Sequence, residues 1–329
     1  MSALETFLFA DFLGTATWLW LMFFAVVVGL LAFDLGVLHR DQHAIGVRES
    51  LLLSAGYICA GLLFGRWVAA QKGGAAGMDY LTGFLVEKSL SMDNVFLMAS
   101  IFGFLAIPRE YQHKVLFWGI VGVIALRALL IGVGSALVHE FAWLLYLFGA
   151  FLLLTGAKML FSRLDDAPDL ASNPLVRFLR GHLRVTEQLH GQRFVVRLPD
   201  ASGRPVLWAT PLLLALLLIE GADLLFAVDS VPAIFAITQD PFVIYTSNIF
   251  AILGLRALYF ALAALIHRFA YLKYALALVL MFIGGKIFLT GLVGKIPAAL
   301  SLGVTLGLLL GGVLVSLWKT RRAAGAADR

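Results

Sequence analysis

Two stretches of this chain are apolar enough to cross a bilayer yet carry acids inside them: Glu87 and Asp93 in the first, Glu220, Asp223 and Asp229 in the second. A charged side chain near the bilayer centre costs about 2.5–3.5 kcal/mol on insertion scales, so five uncompensated ones would cost on the order of 10 kcal/mol. Protons, basic side chains or a bound cation must offset that cost. Both segments are therefore candidates for a functional site rather than for packing alone.

The setting is a membrane. With 61% hydrophobic and 14% charged residues among 329, and a mean hydropathy of +0.93, the chain has too little polar surface for a water-soluble globule. An all-α polytopic membrane protein is expected. Residues 1–11 carry Glu5 and Asp11 but no Lys or Arg, so they lack the basic start of a cleavable signal peptide and the first span is expected to be retained. The single cysteine, Cys59, excludes an internal disulfide and any thiolate metal cluster. A pI near 9.4 raises nucleic-acid binding as an option. The basic residues fall in short connecting loops instead, so membrane lipid is the expected partner and nucleic acid is not.

At about 20 apolar residues per span, nine spans are expected: 18–38, 50–69, 80–105, 114–137, 141–161, 209–237, 242–266, 270–292 and 297–318. Alternate connections differ in charge. Seventeen Lys and Arg lie on the side of the C-terminus, against Arg66, Lys72 and Lys295 on the other, with the rest inside spans. The positive-inside rule then puts the N-terminus outside and the C-terminus in the cytoplasm. The chain divides into an N-terminal two-helix segment (1–76), a three-helix unit (77–161), a basic cytoplasmic loop (162–208), a second three-helix unit (209–292) and a final span with a basic tail (293–329).

Within the loop, Pro174–His190 reads as a basic amphipathic helix. Leu175, Phe178, Leu179 and Leu183 are placed to face lipid, and Arg177, Arg180 and Arg184 to meet headgroups. Phe194–Trp208 reads as a hairpin turning at Asp200–Gly203. No catalytic role is expected of either. His39, His43, His182 and His190 are read as solvated or interfacial residues.

The two three-helix units resemble each other. Asp93-Asn-Val-Phe answers Asp229-Ser-Val-Pro, and six residues upstream stands another acid, Glu87 or Asp223. Leu126-Arg-Ala-Leu answers Leu255-Arg-Ala-Leu, His139-Glu-Phe-Ala-Trp answers His267-Arg-Phe-Ala-Tyr, and Gly156-Ala-Lys answers Gly284-Gly-Lys. Each unit has an odd number of spans, so the second is expected to run inverted relative to the first. Inverted repeats build many secondary transporters, with a midplane site where interrupted helices meet.

On an ideal helix Glu220 and Asp223 lie about 60° apart, but Glu220 and Asp229 about 180° apart. Pro232 removes a backbone donor and Gly221 weakens the helix, so unwinding near Ala227–Pro232 is expected, with a similar interruption around Glu87–Asp93. The acids with the Asn94 amide, the Ser230 hydroxyl and freed carbonyls form an all-oxygen site for a hard divalent ion: Mn²⁺, Mg²⁺ or Ca²⁺. Met92 and Met98 read as packing, although a thioether would bias the site towards a transition metal. Asp34 reads as a helix-end acid reached by water. The plainer reading pairs the acids with Lys88, Arg127 and Arg256 as structural ion pairs. Three deep bases against five acids still leave excess negative charge for a cation or protons to balance.

The run Glu87-Lys-Ser-Leu-Ser-Met-Asp-Asn94, with Glu220-Gly-Ala-Asp-Leu-Leu-Phe-Ala-Val-Asp-Ser-Val-Pro-Ala233, resembles the TerC/Alx family of integral membrane proteins within the LysE-like transporter group. The likeness covers nearly the whole chain, including Phe33–Arg40 and Ala209-Thr-Pro211. It implies export of a divalent metal, manganese above all, across the bacterial cytoplasmic membrane, with Glu87, Asp93, Glu220, Asp223 and Asp229 as ligands. It also implies links in some relatives to metal supply for secreted enzymes, which admits the secretion machinery or metal-requiring secreted proteins as partners. No organic cofactor and no enzyme activity are expected. Exchange of the cation for protons by alternating access is the expected mechanism. Two other readings compete: an intramembrane aspartyl protease, which Glu220-Gly-Ala-Asp223 fits poorly because Ala stands where that class has a second glycine, and a metal sensor without flux.

Overall fold

The computed structural model describes residues 3–38, 47–161, 174–199, 204–262, 272–294 and 296–327. A short helix α1 (Ala3–Leu8) and a two-residue hairpin, β1 (Asp11–Phe12) with β2 (Thr15–Ala16), lead into α2 (Thr17–Leu38). Helices α3 (Val47–Lys72) and α4 (Gly74–Phe104) form an antiparallel pair turning at Gly73, whose φ of 97° a side chain would strain. Glycines let the pair close: Gly61 lies against the Phe84 ring, Gly65 against Tyr80 and Gly77 against Ala69. Next come α5 (Arg109–Glu140) and α6 (Leu144–Phe161).

The polar loop holds α7 (Pro174–His182) and a hairpin of β3 (Val195–Pro199) with β4 (Pro205–Ala209). The expected helix to His190 ends eight residues early. Past Leu183 the backbone is drawn onto the strand, with Thr186 N–H donating to Ala209 C=O and Ala209 N–H donating to Arg184 C=O. The expected hairpin turn at Asp200–Gly203 lies outside the described residues. The apolar face of α7 also turns inward rather than to lipid: Val176 is buried, and Leu175 and Leu179 pack on the main core, leaving Phe178 exposed.

The second half begins with α8 (Pro211–Ile237), entered through Pro at its first position, where no donor is lost. Asp240 caps α9 (Pro241–Ile252) by accepting from Phe242 N–H at 3.0 Å, and a break at Leu253–Gly254 leads to α10 (Leu255–Leu262). The expected single span 242–266 is thus two helices. Gly254 adopts φ 81° and faces Tyr57, where a Cβ would meet Tyr57 Cβ at 2.6 Å. Helices α11 (Leu272–Val293) and α12 (Ala298–Ala327) complete the chain.

Seven of the described helical segments are long and apolar enough to cross a membrane. Helix α4 has the length, but Asp79, Glu87, Lys88 and Asp93 interrupt its apolar character, and α2 is a shorter apolar helix in its described part. The chain is an all-α polytopic membrane protein. Leu63, Leu154, Leu225 and Leu310 stand exposed on outer faces, as lipid-facing residues must. At the centre, 94% of the α9–α10 span is buried by its neighbours.

Two crossings organise the bundle. Helices α4 and α8 run antiparallel, with Gly83 against Ile234 at one end and Asn94 against Asp223 at the other. Helices α6 and α11 also run antiparallel, so closely that a Cβ on Gly284 would lie 2.7 Å from Gly149 O, and one on Gly156 would lie 2.7 Å from Ala277 O. Small residues are what let membrane helices approach in this way.

Candidate functional site

Both acid-bearing helices are continuous through their motifs, contrary to the unwinding expected around Glu87–Asp93 and Ala227–Pro232. Convergence comes from a third helix instead. Arg127, on α5 and 1% exposed, reaches between α4 and α8 and holds an acid from each. Its Nε donates to Asp223 Oδ2 at 3.2 Å and its Nη2 to Asp223 Oδ1 at 3.0 Å, a two-pronged pairing. Its Nη1 donates to Glu87 Oε1 and to Ser230 Oγ, the latter at 3.1 Å. A guanidinium with five fixed donors spans a gap that would otherwise require bent backbone.

Asn94 Nδ2 donates to Asp223 Oδ1 at 3.2 Å, while Asn94 Oδ1, also buried, has no partner among the described residues. A buried acceptor left open in this way is one that a water or an ion can fill. A small cavity between α4 and α8 opens beside it, lined by Asn94, Met98 and Asp223 among apolar neighbours. The structure thus brings Glu87, Asp223, Asn94 and Ser230 together. Glu220 stands apart, one turn before Asp223, with its carboxylate against Gly122 of α5 and Oε2 buried without a partner among the described residues. The side chains of Asp34, Met92, Asp93 and Asp229 lie outside the described residues. Among the described residues no three His, Cys, Asp or Glu side chains form a metal-holding group.

One participant escaped the sequence reading. Asn248 of α9 donates from Nδ2 to Glu87 Oε2 at 3.0 Å and accepts from Arg127 Nη1 at 3.4 Å. The signal was the polar run Thr246-Ser247-Asn248 inside an apolar span. The hydroxyls of Thr246 and Ser247 bond back to Phe242 O and Val243 O, so Asn248 alone of the three reaches the cluster. Lys88, expected to pair with one of the acids, joins no ion pair among the described residues. Its Nζ donates to Ala251 O at 3.1 Å and Leu253 O at 3.4 Å, capping the carbonyls freed at the α9–α10 break.

The family model described as "Integral membrane protein TerC family" matches residues 72–324. The chain belongs to the TerC family. Among its relatives, an uncharacterised membrane protein of Rickettsia bellii is 46% identical over 298 residues, covering 91% of this chain and 96% of its own length. One from Myxococcus xanthus is 46% identical over 306 residues, 93% of each. A TerC-family protein of Escherichia coli K12, described as a candidate membrane-bound redox modulator, Alx, is 44% identical over 313 residues, 92% of this chain and 95% of its own. No solved structure matches.

Proposed function

We propose that this TerC-family protein is a transporter exporting a divalent metal cation, Mn²⁺ in preference to Ca²⁺ or Mg²⁺, by alternating access through the midplane acids. The observation that carries the proposal is the meeting of Glu87 and Asp223, one from each half, on a single buried guanidinium beside an unpartnered amide oxygen. Glu87, Asp223, Asn94 and Ser230 supply hard oxygen donors. Asp93, Glu220 and Asp229 complete the ligand set as the two halves rock about the site.

Support for an inverted repeat comes from the contact pattern. Asn94 meets Asp223 directly, and Glu87 meets Ser230 through Arg127; these are the positions that the two motifs exchange under a two-fold axis in the membrane plane. The α6–α11 crossing repeats the exchange, Gly149 with Gly284 and Gly156 with Ala277.

Arg127 gives the empty carrier a resident positive charge. An arriving divalent ion competes with the guanidinium for the same oxygens, so the cargo is bound without being trapped. The acids that Arg127 does not neutralise take protons when the metal leaves, which couples export to proton entry. The basic loop faces the cytoplasm of a bacterial inner membrane. An aspartyl dyad is less compatible with this site, because among the described residues Asp223 is engaged by the guanidinium of Arg127. A dithiol redox role has no second cysteine to use.

The test is Mn²⁺ flux in proteoliposomes with an internal pH dye. Glu87→Gln, Asp93→Asn, Asp223→Asn and Asp229→Asn are each expected to abolish flux that the unmodified protein supports together with proton movement. Undiminished flux in Glu87→Gln and Asp223→Asn would refute the assigned site.

A further inference from the structure

Helix α7 was expected to lie on the membrane surface, yet it is packed into the bundle beside the acids. Leu175 lies against Gly221, which follows Glu220 on α8, where a Cβ would meet Leu175 Cδ2 at 2.5 Å. Gly221 is ten residues into α8, so Leu175 reaches about 15 Å along that helix from its start. The other end of α7 leans on α4: the Arg180 guanidinium sits 5.6 Å from the centre of the Phe104 ring. Between these points Val176 is 2% exposed and packs in the same cluster as Met98, Ile101 and Ile219. Met98, Ile101 and Ile219 also line the cavity that ends at Asn94 and Asp223.

We infer that α7 is the inner gate of the site, with Leu175 as its wedge and Gly221 as its seat. It bridges α4 and α8 over the half of their groove nearest the basic loop, and its apolar side chains separate the cavity from water on that side. The polar face, Arg177 and Arg180, stays exposed, so the helix can lift into an aqueous or headgroup environment without stranding charge. Gly221 has a stated reason here: any side chain would displace Leu175. The inference rests on the transport reading for its purpose, while the seal itself is testable without transport.

In a Cys59→Ser background, a reporter cysteine in the cavity wall, Ala222→Cys, is exposed to a membrane-impermeant maleimide in inside-out vesicles. Labelling is expected to be slow with Leu175 present and about thirtyfold faster with Leu175→Ala, the lower end of what the loss of a packed leucine side chain gives. Gly221→Ala, which forces Leu175 off its seat, is expected to speed labelling as well. Combining it with Leu175→Ala is expected to slow it again, because the smaller side chain fits over the new methyl. Leu175→Met, similar in volume, is expected to stay slow. A monodisperse elution profile establishes that each variant is folded before labelling. Equal rates for Leu175 and Leu175→Ala, or equal labelling from right-side-out vesicles, would overturn the gate. Gated labelling in a protein that moves no Mn²⁺ would leave the gate standing and remove the transport reading.

Discussion

Glu87 and Asp223 occupy matching positions in the two motifs and are bound to opposite ends of one guanidinium, that of Arg127. Two buried acids thus share one buried base. Truncating Arg127 to Ala leaves both carboxylates without their cation, so it is expected to be the most damaging single change in the bundle, at about 3–5 kcal/mol. Arg127→Lys keeps the charge but loses the two-pronged fit to Asp223, and is expected to fall between the two. Thermal unfolding of the detergent-purified proteins orders the three.

Asn248 bonds both Glu87 and Arg127 from within the most buried helix. Replacing it with Ala removes both bonds and is expected to cost about 1–3 kcal/mol. Asn248→Asp is expected to be worse, because it adds an acid beside Glu87. The order Asn, Ala, Asp in melting temperature checks this.

Asn94 separates binding from stability. One of its two polar atoms is used by Asp223 and the other by nothing among the described residues. Asn94→Ala is therefore expected to lower stability by only about 1 kcal/mol in metal-free buffer. It is expected to abolish the rise in melting temperature that Mn²⁺ produces in the unmodified protein. Retained Mn²⁺ stabilisation in this variant would exclude the amide as a ligand.

The ammonium of Lys88 closes the break between α9 and α10. Lys88→Met leaves two carbonyls at the break without their donor and is expected to loosen the joint. Faster amide hydrogen exchange confined to residues 249–258, with the rest of the bundle protected, is the expected signature.

At the α6–α11 crossing, the carbonyl of Gly149 lies where a side chain on Gly284 would begin. Gly284→Val is expected to force the helices apart and prevent accumulation of folded protein, whereas Gly285→Ala, which meets nothing within 4 Å, is expected to be tolerated. Fluorescence-detected gel filtration distinguishes the two.

The apolar runs, the loop and the four clustered residues Glu87, Asn94, Asp223 and Ser230 were legible in the sequence because each stands out against a hydrophobic background. The manner of their convergence was not. Helical angles between acids on one segment suggested unwinding, but the reach of an arginine on a neighbouring helix is a tertiary quantity that no spacing within α4 or α8 encodes. Asn248 hid for a similar reason: beside Thr246 and Ser247, whose hydroxyls satisfy their own helix, it looked like one more tolerated polar residue. Gly254 gave a sign of the α9–α10 break, but the ammonium that stabilises it comes from α4. The apolar stripe of α7 was read correctly as a stripe and wrongly as lipid-facing, since amphipathicity says that a face is covered and not by what.

The shared guanidinium has a consequence for biogenesis. During synthesis Glu87 and Arg127 enter the bilayer as near neighbours in the chain and can neutralise each other, whereas Asp223, Ser230 and Asn248 arrive only after the long basic loop has been made. Within the leading half Glu87 already has its counter-ion, and Asp223 of α8 meets the remaining donors of Arg127 once the trailing half is made. Assembly of the halves is in that sense a docking reaction, and the element that docks is the one that brings the second charge.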